Sequence, residues 1–249
     1  MTDERSPPSA LKGRLADVYV PALVSGALDA LSRRLGNRAT IDDPLHGRAS
    51  SVASIDALLA HVASYFAEGN ATYEHVCSTT GVDRDAAEGR LAMTIDGQAR
   101  ALPIAIVAER RRLREIELRV YYAPGANGAR KPRPALVSHG PQLPLATLIE
   151  SIFEGVRKGA IDSALAGFEE SSHLVDPGGH EHLKAGGGLS AFLATLGDID
   201  VDVGGSADDG RTSCVETTVR RSGHDPTPAL FAFERGDSGL VRELRVYWE

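Results

Sequence analysis

The chain repeats itself, and the repeat limits its fold more than any other feature. "GALDALSRRLGNRATIDDP" (26–44) matches "GAIDSALAGFEESSHLVDP" (159–177) without a gap. In both copies the aspartate of an Asp-Pro pair comes 17 positions after the first glycine. "IDALLAHV" (55–62) then matches "LSAFLATL" (189–196), and "ELRVYY" (117–122) matches "ELRVYW" (243–248). Three matches in the same order, at offsets of 133, 134 and 126, point to one folding unit built twice.

A Pro/Gly-rich stretch, "APGANGARKPRPALVSHGPQLP" (123–144), lies between the copies and reads as a linker. The division is a first domain over 1–123, a linker over 124–143 and a second domain over 144–249, and the 249 residues suffice for two such units. Each copy opens on helical segments (about 10–35 and 144–169) and continues into a short strand (38–43 and 171–176). A helix follows, with Ile55, Leu58, Leu59 and Val62 at helical spacing. Strands come last, with turn signals such as "DG" (96–97) and "GDSG" (236–239) between them. Helices first and a strand meander afterwards predict an α+β fold, each half a mostly antiparallel sheet with helices on one face.

The bulk numbers remove several functions. A formal charge of −7 argues against nucleic acid as a partner, because that needs a basic face. The N-terminal "MTDERSPPSALKGR" has no apolar core of the signal-peptide kind. The longest apolar run, "ALPIAIVA" (101–108), is too short to cross a bilayer, so no membrane association is expected. Two cysteines, Cys77 and Cys214, are too few for a disulfide framework, and a cytoplasmic location is the expectation.

The final strand of each copy alternates clearly. Ile116, Leu118, Val120 and Tyr122 alternate with Glu117, Arg119 and Tyr121, and Leu244, Val246 and Trp248 with Glu243, Arg245 and Tyr247. The polar sets either face water or build a contact between the two copies.

This layout, with "YVPALVSGALDALSRRLGNRATIDDP" in the first copy, resembles the NTF2-like superfamily, also called SnoaL-like or ketosteroid-isomerase-like. The resemblance covers roughly 10–122 and 144–249. It implies two tandem cone-shaped domains, each a curved sheet wrapped around helices and a deep apolar pocket. In ketosteroid isomerases an early helical tyrosine steadies a developing enolate, and the aspartate of the Asp-Pro pair moves the proton. Tyr19 and Asp43 match those positions. The family's second oxyanion donor, an aspartic acid on a later strand, is replaced by Ala105. In the second copy Asp176 is retained, but Ile152 stands at the tyrosine position and Leu230 near the second donor, so that site looks degenerate. Leu118, Val120 and Tyr122, with Val246 and Trp248 in the second copy, match pocket-lining positions. They imply a small apolar or polycyclic ligand. Epoxide-opening relatives use paired acids, for which Glu74 is the candidate partner of Asp43. Single-domain members dimerise through the outer sheet face, so an intramolecular pseudo-dimer is expected, with a homodimer of the whole chain also open.

From physics alone Asp43 has two readings. Alternation places it with Ala39 and Ile41 on the apolar side, where desolvation raises a carboxyl pKa and suits it to act as a base. An aspartate before proline also opens turns by accepting backbone N–H bonds. Glu74 likewise reads either as an acid partner or as a strand carboxylate in water. His180 and His182 lie near Asp176 in a Gly-rich loop with no third ligand evident, so no metal is expected. "GGG" (186–188) lacks the Lys and Ser/Thr of a phosphate loop, and no cofactor is expected. "ERRRLRE" (109–115) reads as a solvated hairpin.

Overall fold

A computed structural model describes residues 11–111, 115–122, 136, 145–197, 199–221 and 223–248. The linker of 124–143 lies outside the described residues apart from Leu136.

The first half begins with α1 (Leu15–Ser25) and α2 (Leu28–Leu35). Gly26 separates them. Its φ of 72° suits a residue without Cβ, and its N–H caps the carbonyls of Ala22 and Leu23. Then come β1 (Ala39–Asp43), β2 (Gly47–Ala49), α3 (Val52–Glu68), β3 (Thr72–Thr80), β4 (Arg84–Ile95), β5 (Gln98–Arg110) and β6 (Ile116–Tyr121). Ser51 caps α3 in a reciprocal box with Ser54, and the buried residues Ile55, Leu58, Leu59, Val62 and Phe66 fall on one face. Asp96 and Gly97 both take positive φ, 51° and 74°, which is the two-residue turn that joins β4 to β5.

The second half repeats the series: α4 (Thr147–Arg157), α5 (Ile161–Leu165), β7 (Phe168–Val175), β8 (Glu181–Leu183), α6 (Gly188–Thr195), β9 (Ile199–Asp208), β10 (Thr212–Arg221), β11 (Thr227–Arg235) and β12 (Val241–Trp248). The two sheets have the same order, β2-β1-β6-β5-β4-β3 and β8-β7-β12-β11-β10-β9. All pairings are antiparallel except β1 with β6 and β7 with β12. The chain is thus an α+β tandem of two similar domains. No described helix is long and apolar enough to cross a membrane.

Each sheet has an inner and an outer face, and around the middle strands both are buried. Inward residues join the helices in two separate cores, one holding Ile41, Leu91, Ile104, Leu118 and Val120, the other Leu174, Val215, Phe231 and Val246. Outward residues of both sheets form a third, shared cluster of Ala86, Ala105, Val107, Tyr121, Cys214, Leu230, Ala232 and Tyr247.

Charged groups cross this contact in matched pairs. Arg119 Nε donates to Glu216 Oε1 at 2.5 Å, its Nη2 to Glu216 Oε2 at 2.7 Å, and Tyr121 Oη to Glu216 Oε1 at 2.6 Å. In mirror fashion Arg245 Nε donates to Glu88 Oε2 at 2.7 Å, its Nη2 to Glu88 Oε1 at 3.1 Å, and Tyr247 Oη to Glu88 Oε2 at 2.8 Å. Glu109 and Arg84 extend the first set, and Glu234 extends the second. Buried charges are tolerable only when fully paired, and here each carboxylate meets an arginine fork and a phenol.

Two sequence expectations need correcting. The "ERRRLRE" segment is not simply a solvated hairpin: half-buried Arg111 pairs with Glu109 and Glu117, whose carboxylates lie on the outer face of the sheet. Residues 112–114 lie outside the described residues. Ala105 and Leu230 are not pocket residues. They pack on the outer faces, one step out of phase with the inward Ile104, Ile106 and Phe231.

Candidate functional site

β1 is short because Pro44 has no N–H for the ladder and Asp43 turns the chain. Asp43 Oδ1 accepts the backbone N–H of Leu45 at 2.9 Å and of His46 at 3.2 Å. The turn reading of this residue is therefore correct. So is the inward one: Asp43 is only 1% exposed, and Tyr122 Oη also donates to Oδ1, at 3.5 Å. The parallel register of β1 with β6 pairs Ile41 with Leu118 and Asp42 with Arg119. One step on, Asp43 stands at the level of Val120, on the face that carries Leu118, Val120 and Tyr122. Asp42 points the other way and pairs with Arg48 on the outer face.

Tyr19 comes to the same place from α1. It is fully buried among apolar residues, and among the described residues nothing hydrogen-bonds its Oη. Burial first, and then the nearby charge of Asp43, hold its phenol well above the ordinary range. It therefore remains protonated, a hydrogen-bond donor beside a buried carboxylate. Leaving a buried hydroxyl unsatisfied costs about 1–3 kcal/mol, so a fold that keeps one invites the question of what it is kept for. His46, which follows the turn, packs edge-on against the exposed His61 with ring centroids 4.4 Å apart.

Other sequence candidates are placed elsewhere. Glu74 is exposed on β3 opposite Arg90, with three strands between it and β1 in the sheet, and it is not brought together with Asp43. In the second domain Ile152 sits on α4 where Tyr19 sits on α1, and it lines an apolar cavity of about 320 Å³ with Phe153, Val156, Leu193, Phe231, Phe233 and Leu244. Val246 is buried in that domain's core, and Trp248 packs against Phe192 and Phe231 at 6.1 and 6.2 Å. Asp176 turns its carboxylate to the loop: Oδ1 accepts Gly178 N and His180 N, each at 2.9 Å, and Oδ2 accepts His182 Nε2 at 3.0 Å. Among the described residues no group of three His, Cys, Asp or Glu side chains is placed to hold a metal ion.

Sequence reading missed Glu88 and Glu216, the centres of the inter-domain contact. Strand alternation puts each on a polar face. Only the repeat, carried past the matched segments, could have set them opposite Arg245 and Arg119.

No protein-family model and no curated relative matches the chain. Solved structures do. One is a Catenulispora acidiphila protein described as having a ketosteroid isomerase-like fold, in complex with trimethylamine: 18% identity, 45% of this chain and 88% of that one, TM-score 0.37. Another is an NTF2-like protein of unknown function from Cytophaga hutchinsonii: 13% identity, 45% and 95% coverage, TM-score 0.36. A third is SalBIII, an epoxide hydrolase/cyclase-like enzyme of pyran ring formation in the polyether salinomycin: 18% identity, 43% and 85% coverage, TM-score 0.35. Each match spans less than half of this chain.

Proposed function

We propose that the first domain is a small-molecule enzyme that moves a proton next to the carbonyl of an apolar or polycyclic substrate. The reaction would be of the isomerase, cyclase or dehydratase type. The observation that supports this reading is the Tyr19 hydroxyl, buried and without a hydrogen-bond partner among the described residues, beside the buried Asp43 carboxylate. A substrate carbonyl oxygen would satisfy Tyr19 as acceptor. Asp43 would take the proton from the neighbouring carbon, and the electron pair would move onto the oxygen, where Tyr19 donates to the growing negative charge. The proton on Asp43 then returns to a different carbon, so the step needs no cofactor. Leu118, Val120 and Tyr122 would wall the apolar part of the substrate.

On β5 the inward residues flanking Ala105 are Ile104 and Ile106, and neither can donate a hydrogen bond. Losing one oxyanion donor costs roughly 100- to 1000-fold in rate, which directs the proposal to substrates with relatively acidic C–H bonds. No observation favours the acid-pair chemistry, since Glu74 stays outside. The test is a panel of β,γ-unsaturated ketones followed by their ultraviolet absorbance. Wild type should convert at least one, and Asp43→Asn should be slower by roughly 100- to 10,000-fold. Equal rates in the two proteins would end the proposal.

A further inference from the structure

We infer that the second domain carries a binding site of its own, in which His182 accepts a hydrogen bond from a hydroxyl on a flat aromatic ligand lying against Phe192 and Trp248. It is independent of the Asp43 reading.

The two domains differ at three inward positions around the Asp-Pro turn. Strand pairing sets Ala49 opposite Ile41 in the first domain and His182 opposite Leu174 in the second. Ile41 and Leu174 are repeat partners, so His182 takes the place of a buried alanine. By the same repeat Phe192 replaces Leu58, and Trp248 replaces Tyr122. The second domain has therefore exchanged small, aliphatic and phenolic groups for an imidazole and two larger ring systems at one spot.

These groups touch in sequence. The His182 ring centroid is 5.3 Å from that of Phe192, and Phe192 stacks on Trp248 at 6.1 Å with 21° between the planes. Near-parallel rings at such spacings offer a wall on which another flat ring stacks with an offset.

The chemistry of His182 is fixed by its partner. Asp176 Oδ2 lies 3.0 Å from Nε2, and a carboxylate can only accept, so Nε2 carries the proton. In the neutral imidazole Nδ1 then keeps its lone pair, and among the described residues none hydrogen-bonds it. The side chain is 30% exposed, so a ligand can reach it. In the first domain the equivalent carboxylate accepts a side-chain bond from Tyr122. In the second, the indole that replaces that phenol leaves the role to His182. An O–H at the edge of a stacked ring fits the remaining nitrogen. An ether or carbonyl in its place does not, because two acceptors would meet.

The chain has a single tryptophan, so the indole N–H resonance in ¹H–¹⁵N NMR reports this site and nothing in the first domain. Titration with 2-naphthol should move the Trp248 signal saturably. 2-Methoxynaphthalene, with the same rings and no O–H, should bind about tenfold more weakly. His182→Phe keeps a ring against Phe192 and should abolish the preference. Asp176→Asn, which removes the acceptor that fixes the tautomer, should abolish most of it and carries the test if His182→Phe does not fold. Tyr19→Phe should leave the preference intact whether or not the first domain is an enzyme. Equal affinity of wild type for the two ligands, a preference that survives both second-domain substitutions, or no movement of the Trp248 signal would overturn the inference.

Discussion

Replacing Tyr19 by phenylalanine should make the protein more stable and less active at once. The substitution deletes one buried oxygen and leaves the ring and its packing in place. That oxygen has no hydrogen-bond partner among the described residues, and it is fully buried. Leaving such a hydroxyl unpaired costs about 1–3 kcal/mol, so its removal should return about 1 kcal/mol after small packing losses. The equivalent position in the second domain already holds an apolar side chain, Ile152, so the site can accept one. For a chain of this size 1 kcal/mol corresponds to a rise of about 2–4 °C in melting temperature. Circular dichroism during thermal unfolding measures the shift, and urea titration checks it. Proton transfer should fall by roughly 100- to 1000-fold in the same protein. A melting temperature lowered by a similar amount would show that the hydroxyl is bonded within the fold, and the reasoning from its isolation would fail.

Two further predictions concern the contact between the domains, which we propose serves the chain as its own dimer interface. Glu216→Gln leaves Arg119 and Arg84 short of a buried carboxylate. Removing one partner of such a pair costs about 3–5 kcal/mol, and because Glu109 remains as a partner the lower end is expected, read as a reduced urea midpoint. Glu88→Gln should do the same through Arg245, and a change confined to one of the pair would contradict the symmetry of the contact. The pH dependence follows from Glu216. Burial opposes its ionisation, but Arg119 and Arg84 outweigh burial and bring it down to about 2 from an ordinary 4.5. A lowered carboxyl pKa contributes stability that is complete above the unfolded value and is lost as pH falls through the folded one. That contribution, roughly 3 kcal/mol, should therefore be intact at pH 5 and vanish between about 4.5 and 2. In Glu216→Gln the loss of stability over this range should be correspondingly smaller, and an unchanged acid profile would refute the assignment.

Much of the fold was readable because a repeat constrains two halves at once. The turn at Asp96-Gly97, the apolar face of α3 and the inward set Leu118, Val120 and Tyr122 all follow from spacing that local physics enforces. Alternation also separated Asp43 from Asp42 correctly. It failed where one face could not be told from the other. Asp42 falls by alternation on the face opposite Asp43, yet it too is buried, with Arg48 of the neighbouring strand as its ion-pair partner. Likeness to the family's motif puts Ala105 inward, but a shift of one residue in a strand moves a side chain through the sheet, and Ala105 packs outward. Glu74 lies on a strand whose distance from β1 depends on strand order, which no local pattern encodes. The isolation of the Tyr19 hydroxyl and the bond from His182 to Asp176 belong to tertiary packing, and only coordinates disclose them.

Proton exchange at the carbon next to a carbonyl tests the central claim most directly, because it needs no knowledge of the true product. An apolar cyclic ketone in deuterated water is followed by proton NMR as its α-hydrogens are replaced. Wild type should accelerate the loss of signal. Asp43→Asn should fall back to within a few-fold of the buffer rate, while the unfolding midpoint shows that it remains folded. Exchange at the wild-type rate in Asp43→Asn, or no acceleration by wild type with any ketone of the panel, would contradict a proton-transfer role for this carboxylate.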